Sequence, residues 1–283
     1  MKKMLVTVAH PSDESFVFGG TIAKYTKTGW DVVLLCATNG EHGDSGSYGW
    51  AKGDALGALR QEEVKKAGDL LGVREIRFLG LKDGGLFLVT PGTLEDPIER
   101  TMLDFLPDII LTFATNGINN DPDHVKMSYA VTYAFQKYAS HLEQLKNPEN
   151  VNRGRGKPWK HEEYLRAFGD VEKATEAPKL YYACYPKHEV SYLQKGKRLP
   201  LESFGKPLVG TLDKHITTVI DISREKGTKK KALRCHETQK ETVEPFFSFE
   251  DNPFMRHEYY MLRMHGIFEV FMGKTDRVRD RLT

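Results

Sequence analysis

The feature that most constrains the fold of this chain is the alternation of strand-like and helix-like segments over residues 4–114. The strand-like segments are short runs rich in apolar residues: Met4–Ala9, Trp30–Ala37, Glu75–Leu79 and Asp108–Ala114. Segments with helical spacing lie between them, and the longest spans Leu56–Leu71. Because nearly continuous apolar strands must be covered on both faces, the pattern predicts an α/β protein with a mostly parallel sheet.

The second half of the chain is less regular. After a predicted helix from Met127 to about Gln144, residues 146–178 are polar and punctuated by Pro and Gly, which predicts a long loop or lid. Further on we predict two strands, a helix and an amphipathic segment suited to an interface in a homo-oligomer: Lys179–Tyr185, Thr217–Asp221, Lys226–Thr238 and His257–Phe271. We expect a single domain over residues 1–283, with a core of about 1–145 and a C-terminal elaboration of about 146–283.

Composition narrows the class of protein. The 41 Lys and Arg residues nearly balance 39 Asp and Glu, so the net charge of +2 gives no reason to expect nucleic acid as a partner. The sequence contains no run of about 20 apolar residues, so it predicts no membrane span. Three widely spaced cysteines without a CxxC pair predict neither a disulfide framework nor a thiolate zinc site. We therefore expect a reduced, cytoplasmic protein that acts on a small molecule.

Polar clusters follow three of the predicted strands, at the points where the strands end. They are His10–Glu14, Thr38–Asp44 and Asn116–His124. Because the carboxyl ends of parallel strands meet at one edge of a sheet, the three clusters are expected to converge there.

Two of these clusters carry the side chains of a possible metal site. His10 and Asp13 lie three residues apart at a strand-to-helix turn, and His124 follows a later strand. Two imidazoles and a carboxylate suit Zn²⁺ or a similar divalent metal, and three protein ligands with a fourth position open are typical of catalytic zinc. The alternative is structural, with Ser12 and Asp123 capping helices.

Together with other segments, these clusters resemble the motifs of a known family. The run His10-Pro11-Ser12-Asp13-Glu14 followed by Gly19-Gly20-Thr21 resembles the A-H-P-D-D-E…G-G-T signature of the LmbE-like (PIG-L) zinc-dependent de-N-acetylases. Further matching segments, in order along the chain, are Thr38–Glu41, Arg60–Glu63, Leu71–Val73, Phe78–Gly84, Pro107–Asp108, Asn116–Ile118, Pro122–His124, Lys231–Leu233 and His236–Gln239. The resemblance covers most of residues 4–135.

The resemblance implies a Rossmann-like fold with a zinc site at the carboxyl edge of its sheet. The family's metal ligands map onto His10, Asp13 and His124. Arg60 and Asp83 match positions that help bind the sugar of an N-acetylglucosamine-type substrate, the structural alternatives being a surface ion pair for Arg60 and an Asp-Gly turn for Asp83.

Six further residues are candidates for parts of the substrate pocket. Glu41 and His42 are candidates for orienting ligands or substrate, and His236, within a matching segment, is a candidate for entering the pocket. Trp159, Tyr181 and Tyr182 are aromatic residues that would either wall a sugar site or pack in the core.

Two departures from the family pattern affect the chemistry. Ser12 stands where active members carry an aspartate as general base, and Asp121 stands where a histidine is common. A serine hydroxyl cannot serve as a base at neutral pH without a base of its own. Three accounts remain open: Asp121 takes over as base, the enzyme is slow, or the chain is catalytically silent through a natural or introduced Ser12.

The sequence therefore predicts a zinc-dependent hydrolase that removes an N-acetyl or other N-acyl group from an N-acetylglucosamine-type substrate. The candidate catalytic residues are Ser12, Asp121 and Asp123. The alternative is a silent member of the same fold that only binds a sugar or another metabolite.

Overall fold

Five of the predicted strands form the parallel part of one sheet in a computed structural model that describes residues 1–146, 176–247, 252–270 and 278–282. They are β1 (Lys3–Val8), β2 (Asp31–Thr38), β3 (Glu75–Leu81), β4 (Ile109–Phe113) and β5 (Lys179–Cys184). Every residue of β2 and β4 is buried. These strands pair in parallel in the order β3-β2-β1-β4-β5. The predicted α/β class and the Rossmann-like, mostly parallel sheet are confirmed.

Helices connect the parallel strands. In chain order they are α1 (Asp13–Val17), α2 (Gly19–Lys27), α3 (Asp54–Leu71), α4 (Glu95–Phe105), α5 (Gly117–Asn120) and α6 (Pro122–Lys146). The helices α2 and α3 pack on each other, and α4 packs on α6. Because the strand order reverses at β1 and crossovers are right-handed, these two pairs cover opposite faces of the sheet. The reversal leaves a crevice between the carboxyl ends of β1 and β4, where open α/β sheets bind ligands.

The C-terminal part of the chain extends the same sheet with antiparallel strands. Its elements are α7 (Lys187–Lys195), the short pair β6 (Glu202–Ser203) and β7 (Lys206–Pro207), β8 (Thr218–Asp221), α8 (Lys226–Arg234), α9 (Lys240–Phe247), β9 (His257–His265) and β10 (Phe268–Glu269). β9 pairs with β5, β8 and β10. The amphipathic segment at 257–271 is thus a strand pair as far as residue 270, and the predicted loop or lid lies largely outside the described residues.

A buried ion pair ties this C-terminal part to α2. The sequence predicts that the basic run Arg224–Lys231 is a solvated helix start, but Lys229 within it is completely buried. Its Nζ donates to Glu258 Oε1 at 2.7 Å and to the Phe254 carbonyl at 3.0 Å. Glu258 in turn accepts the backbone N–H groups of Gly20 and Thr21 at the start of α2. The solvated interpretation is wrong for Lys229 because its charge has a buried partner.

Among the helices of the described ranges, none is both long and apolar enough to cross a bilayer.

Candidate active site

The three predicted metal ligands meet at the crevice between β1 and β4. His10 follows β1, Asp13 is the first residue of α1, and His124 lies in the first turn of α6. His10 Nδ1 and His124 Nε2 lie 3.2 Å apart, and Asp13 Oδ2 lies 3.2 Å from His124 Nε2 and 3.6 Å from His10 Nδ1. Residues from distant parts of the chain therefore present three ligand atoms to one point.

Hydrogen bonds on the outer side of each imidazole fix which nitrogen carries the proton. The Gly117 carbonyl accepts from His124 Nδ1 at 3.1 Å. His10 Nε2 lies 3.1 Å from Asp83 Oδ1 and 3.4 Å from Asp123 Oδ2, both of them acceptors. Because a neutral imidazole that donates through one nitrogen has a lone pair on the other, the two nitrogens that face Asp13 are poised to accept a cation.

The charges around the site favour a cation at the same point. Burial opposes the charged form of His10, but its bonds to Asp123 and Asp83 outweigh this and raise the pKa of His10 well above its ordinary value. Burial likewise opposes ionisation of Asp13, but the neighbouring His124 and His10 outweigh this and lower the pKa of Asp13. Burial opposes ionisation of Asp83 too, and His10 chiefly overcomes it, so that the pKa of Asp83 is also lowered. Ionised carboxylates beside imidazoles favour a positive charge between them.

The donor set fits a tetrahedral metal. Zinc–ligand bonds of about 2.0–2.2 Å place neighbouring ligand atoms of a tetrahedron roughly 3.3–3.5 Å apart, close to the 3.2–3.6 Å seen among the three facing atoms. Asp121 is also near, since one of its oxygens and ring nitrogens of His10 and His124 lie within 4.8 Å of one another. Three candidate ligand atoms are therefore in place, and a second carboxylate, that of Asp121, lies beside them.

Ser12 lines the cavity but has no base to activate it among the described residues. Its Oγ donates to Gln239 Oε1 at 3.1 Å, and its N–H donates to Glu14 Oε2. Its side chain does not cap α1, so the capping alternative is wrong. Its φ of 89° is unusual for a residue with a side chain, and such backbone strain clusters at functional sites.

Asp121 and Asp123 make different contacts at the start of α6. Asp121 Oδ1 accepts the Asp123 N–H at 2.8 Å, so Asp121 caps this helix and the alternative of Asp123 as its cap is wrong. The Asp123 carboxylate instead accepts the N–H groups of Gly84 and Leu86 and faces His10. Asp123 therefore orients His10 while it holds the loop after β3 in place.

Asp83 and Glu41, two of the residues predicted to contact ligands or substrate, also help to hold His10 in place. Asp83 contacts His10, and its Oδ2 accepts the His42 N–H at 3.1 Å. Glu41 Oε1 accepts the Asp83 N–H at 2.8 Å, and Glu41 Oε2 is buried without a partner in the described part of the chain. The loops after β2 and β3 are thus linked behind His10.

Arg60 is buried at the edge of the cavity, which rules out the surface ion pair considered above. It is 5% exposed, and its guanidinium donates to the carbonyls of Gly40 and Asp44 and to Thr238 Oγ1. Burial lowers its pKa, against the opposing effect of nearby carboxylates such as Asp83. A role for Arg60 in binding sugar stays a prediction.

His236 and the two tyrosines lie away from the cavity. His236 is completely buried, and its Nε2 contacts Glu14 Oε1 at 2.7 Å. Tyr181 and Tyr182 are core residues of β5, consistent with the packing alternative. Trp159 lies outside the described residues.

The candidate ligands open into a cavity of about 690 Å³ that is lined by two kinds of side chain. Beyond the candidate ligands, the polar ones include His42, Asp44, Arg60 and Asp83. The large apolar ones, here called the apolar wall, are Phe16, Tyr185, Leu199, Phe204, Phe246 and Phe254. In this wall the rings of Tyr185 and Phe254 stack at 4.0 Å, and Phe16 meets Phe246 edge to face. Sequence reasoning missed the wall because its members are scattered from residue 16 to residue 254 with no shared spacing.

Comparison with solved structures shows that this fold is shared. The N,N'-diacetylchitobiose deacetylase of Pyrococcus horikoshii matches 97% of this chain and 88% of its own with a TM-score of 0.61 at 20% identity. The 4-carboxy-2-hydroxymuconate hydratase GalB of Pseudomonas putida matches 96% of this chain and 100% of its own with a TM-score of 0.60 at 17% identity. Since the two catalyse different reactions, the fold alone does not define the chemistry.

Sequence comparison is more specific. The family model described as PIG-L, GlcNAc-PI de-N-acetylase, matches residues 5–135. A 1D-myo-inositol 2-acetamido-2-deoxy-alpha-D-glucopyranoside deacetylase of Rhodococcus opacus is 30% identical over 259 residues, which cover 84% of this chain and 82% of that protein. A probable N-acetyl-alpha-D-glucosaminyl L-malate deacetylase of Bacillus anthracis is 33% identical over 134 residues, 47% of this chain and 59% of that protein. This chain belongs to the PIG-L (LmbE-like) family of de-N-acetylases.

Proposed function

We propose that this protein is a zinc-dependent amide hydrolase that removes the N-acetyl group of an N-acetylglucosamine-type substrate. The observation that carries the proposal is the convergence of His10 Nδ1, Asp13 Oδ2 and His124 Nε2 within 3.6 Å of one another. Family membership supports it, since the Rhodococcus relative is named as a deacetylase of an acetamido sugar.

These three residues would hold the metal, and the shell behind them would keep it in place. Two nitrogens and one carboxylate oxygen are a donor set typical of catalytic zinc. A bound divalent cation supplies Lewis acidity that polarises an amide carbonyl and lowers the pKa of a bound water. With a metal bound, Asp83 and Asp123 would accept from Nε2–H of His10 and the Gly117 carbonyl from Nδ1–H of His124, which leaves Nδ1 of His10 and Nε2 of His124 to coordinate.

We assign the general base to Asp121, so that the carboxylate has moved in this chain rather than disappeared. One Asp121 oxygen accepts the Asp123 N–H, and the other has no hydrogen-bond partner within the described ranges. This second oxygen would accept a proton from the attacking water and return it to the leaving amine. Ser12 cannot do so, because a hydroxyl is not basic at neutral pH and the Gln239 amide oxygen that accepts its proton cannot activate it. Asp123, first considered catalytic, is then a positioning residue.

The test is acetate release from N-acetylglucosamine conjugates by the zinc-loaded protein, with metal content measured in parallel. Asp121→Asn is expected to lower the rate by about 10²–10⁴-fold, the usual effect of removing a general base, without lowering zinc content. A protein that binds no metal even after zinc is added contradicts the proposal.

The second candidate function is a sugar-binding protein without turnover, and the observation that favours it is Ser12 itself. If it is correct, the chain releases no acetate, whereas Ser12→Asp gains activity by orders of magnitude. If Asp121 is the base, the wild-type chain is active and Ser12→Asp adds little.

A further inference from the structure

A small hairpin contributes Phe204 to the lining of the cavity. The strands β6 and β7 pair antiparallel through Ser203 and Lys206, and only Phe204 and Gly205 connect them. Both connecting residues have positive φ, 52° for Phe204 and 67° for Gly205. Two consecutive residues of this kind are the pattern of a type I′ turn, which favours Asn-Gly or Asp-Gly.

Phe204 is therefore unfavourable for its own turn. A bulky residue at positive φ is an outlier, whereas Asn adopts this conformation readily. The side chain gains little burial in return, because Phe204 is 58% exposed. An aromatic residue that is neither favoured by its backbone nor well buried in the fold calls for another explanation.

The position of the hairpin supplies that explanation. Phe204 lines the cavity in the apolar wall, together with Leu199, Tyr185 and Phe254. The side-chain amide of Asn120 donates to the Pro207 carbonyl at 3.1 Å and lies 3.4 Å from the Ser203 and Lys206 carbonyls. Since Asn120 immediately precedes Asp121, the hairpin is fastened to the loop that carries the proposed base.

Sheet order sets the direction in which a substrate would lie. Beyond the candidate ligands and their neighbours, the polar lining includes His42 and Asp44 after β2 and Asp83 after β3, whereas Tyr185 follows β5. The metal ligands follow β1 and β4, between these two sides. A ligand that spans the cavity across the ligands therefore meets polar groups at one end and aromatic groups at the other.

We propose that the substrate is an amino sugar with an apolar substituent larger than methyl, and that Phe204 is the residue that selects this substituent. The amino-sugar part rests on the proposed function, whereas the apolar part rests on the wall and the hairpin. The substituent is carried either by the glycosidic oxygen or by the acyl group, and both bring the same chemistry to the wall.

Calorimetric binding to the metal-free protein tests the idea, because no turnover is needed. One arm compares the hexyl glycoside of 2-amino-2-deoxyglucopyranose with its methyl glycoside. The other arm compares N-hexanoylglucosamine with N-acetylglucosamine. We expect the hexyl or hexanoyl ligand to bind about tenfold tighter than its short partner, since the additional methylenes, five in the hexyl arm and four in the hexanoyl arm, leave water for an apolar wall. The arm that shows the gain identifies which position carries the substituent.

Phe204→Asn is the decisive variant, because Asn suits the turn and the protein is expected to fold. It should reduce the preference for the long ligand to within about threefold. Phe268→Asn is the matched control: Phe268 is 71% exposed on β10 and does not line this cavity, so the preference should be unchanged.

Equal affinities for long and short ligands in both arms would overturn the inference, as would a preference that survives Phe204→Asn. Neither result affects acetate release or metal content. Conversely, a protein that fails to release acetate but retains the Phe204-dependent preference refutes the proposed hydrolase and leaves the apolar subsite standing.

Discussion

Two buried polar clusters in this molecule have opposite hydrogen-bonding balances. At the Lys229–Glu258 pair the donors and acceptors match: the ammonium has two acceptors, and the Glu258 carboxylate receives Lys229, two helix N–H groups and the Tyr260 hydroxyl. At the crevice between β1 and β4 acceptors are in excess when both imidazoles are neutral: Asp13 Oδ2 accepts the His10 N–H, and it faces His10 Nδ1 and His124 Nε2 at 3.2–3.6 Å.

The difference separates a structural cluster from a functional one without any reference to other sequences. A complete cluster stabilises the fold and requires nothing from solution. An incomplete cluster keeps its acceptors together only because surrounding bonds hold them, and a cation would complete it. The following variants test the distinction in order of decreasing expected effect.

Breaking the complete pair should have the largest effect. Lys229→Met leaves the Glu258 charge buried and unpaired, which is expected to lower the free energy of unfolding by about 3–5 kcal/mol. Lys65→Met, at an exposed pair with Glu62, is the control and should change it by less than about 1 kcal/mol. Urea denaturation measures both. Because Lys229→Met/Glu258→Gln removes both charges, it should be less destabilised than Lys229→Met alone.

Completing the incomplete cluster should have the next largest effect. Free Zn²⁺ at 100 times its dissociation constant is expected to stabilise the wild-type protein by about 2.7 kcal/mol, visible as a higher Tm. Asp13→Asn removes a charged ligand and should lose most of this gain, whereas Asp69→Asn on the exposed surface of α3 should keep it. An equal rise of Tm in both variants would show that zinc binds elsewhere.

The junction between Glu258 and α2 allows a finer test. A Cβ built at Gly20 would lie 2.4 Å from Ile222 Cδ1, whereas one at Gly19 meets nothing closer than 3.4 Å. Gly20→Ala should therefore destabilise the protein by about 1–3 kcal/mol through overpacking. Gly19→Ala is the paired control, and a comparable loss there would mean that the close approach to Ile222 is not the cause.

The smallest expected change has the opposite sign. Phe204→Asn places at this positive-φ position a residue that adopts the conformation more readily, and it should raise the free energy of unfolding by about 0.5–1 kcal/mol. Guanidinium denaturation of the variant and of Phe268→Asn measures it. A net loss of stability would show that the Phe204 ring contributes to the fold and is not held there for a ligand alone.

The sequence predicted those features that depend on local pattern. β1, β2 and β4 were recognisable because both of their faces are buried, which leaves continuous apolar runs. The convergence of His10, Asp13 and His124 followed from the rule that carboxyl ends of parallel strands share an edge. The start of α6 was placed at Met127 although Pro122, a favoured first helical residue, gave the earlier signal.

Other features depend on contacts between distant residues and have no local signal. The burial of Lys229 is decided by Glu258, which lies 29 residues further on. His236 is within a recognised motif, yet its position is set by Glu14, 222 residues away, which directs it to the core and not to the cavity. Phe204 was hidden because its turn has the wrong residue for its type, so the usual Asn-Gly signal is absent.

The distance along the chain between α2 and its cap has a consequence for biosynthesis. Gly20 is translated 238 residues before Glu258. At a translation rate of about 5–20 residues per second, the acceptor of the Gly20 N–H group is therefore synthesised roughly 12–50 s later. During this time the nascent chain exposes the start of α2, next to the turn that carries His10 and Asp13. We therefore expect ribosome-bound chains to acquire protease resistance in this region only after β9 has emerged.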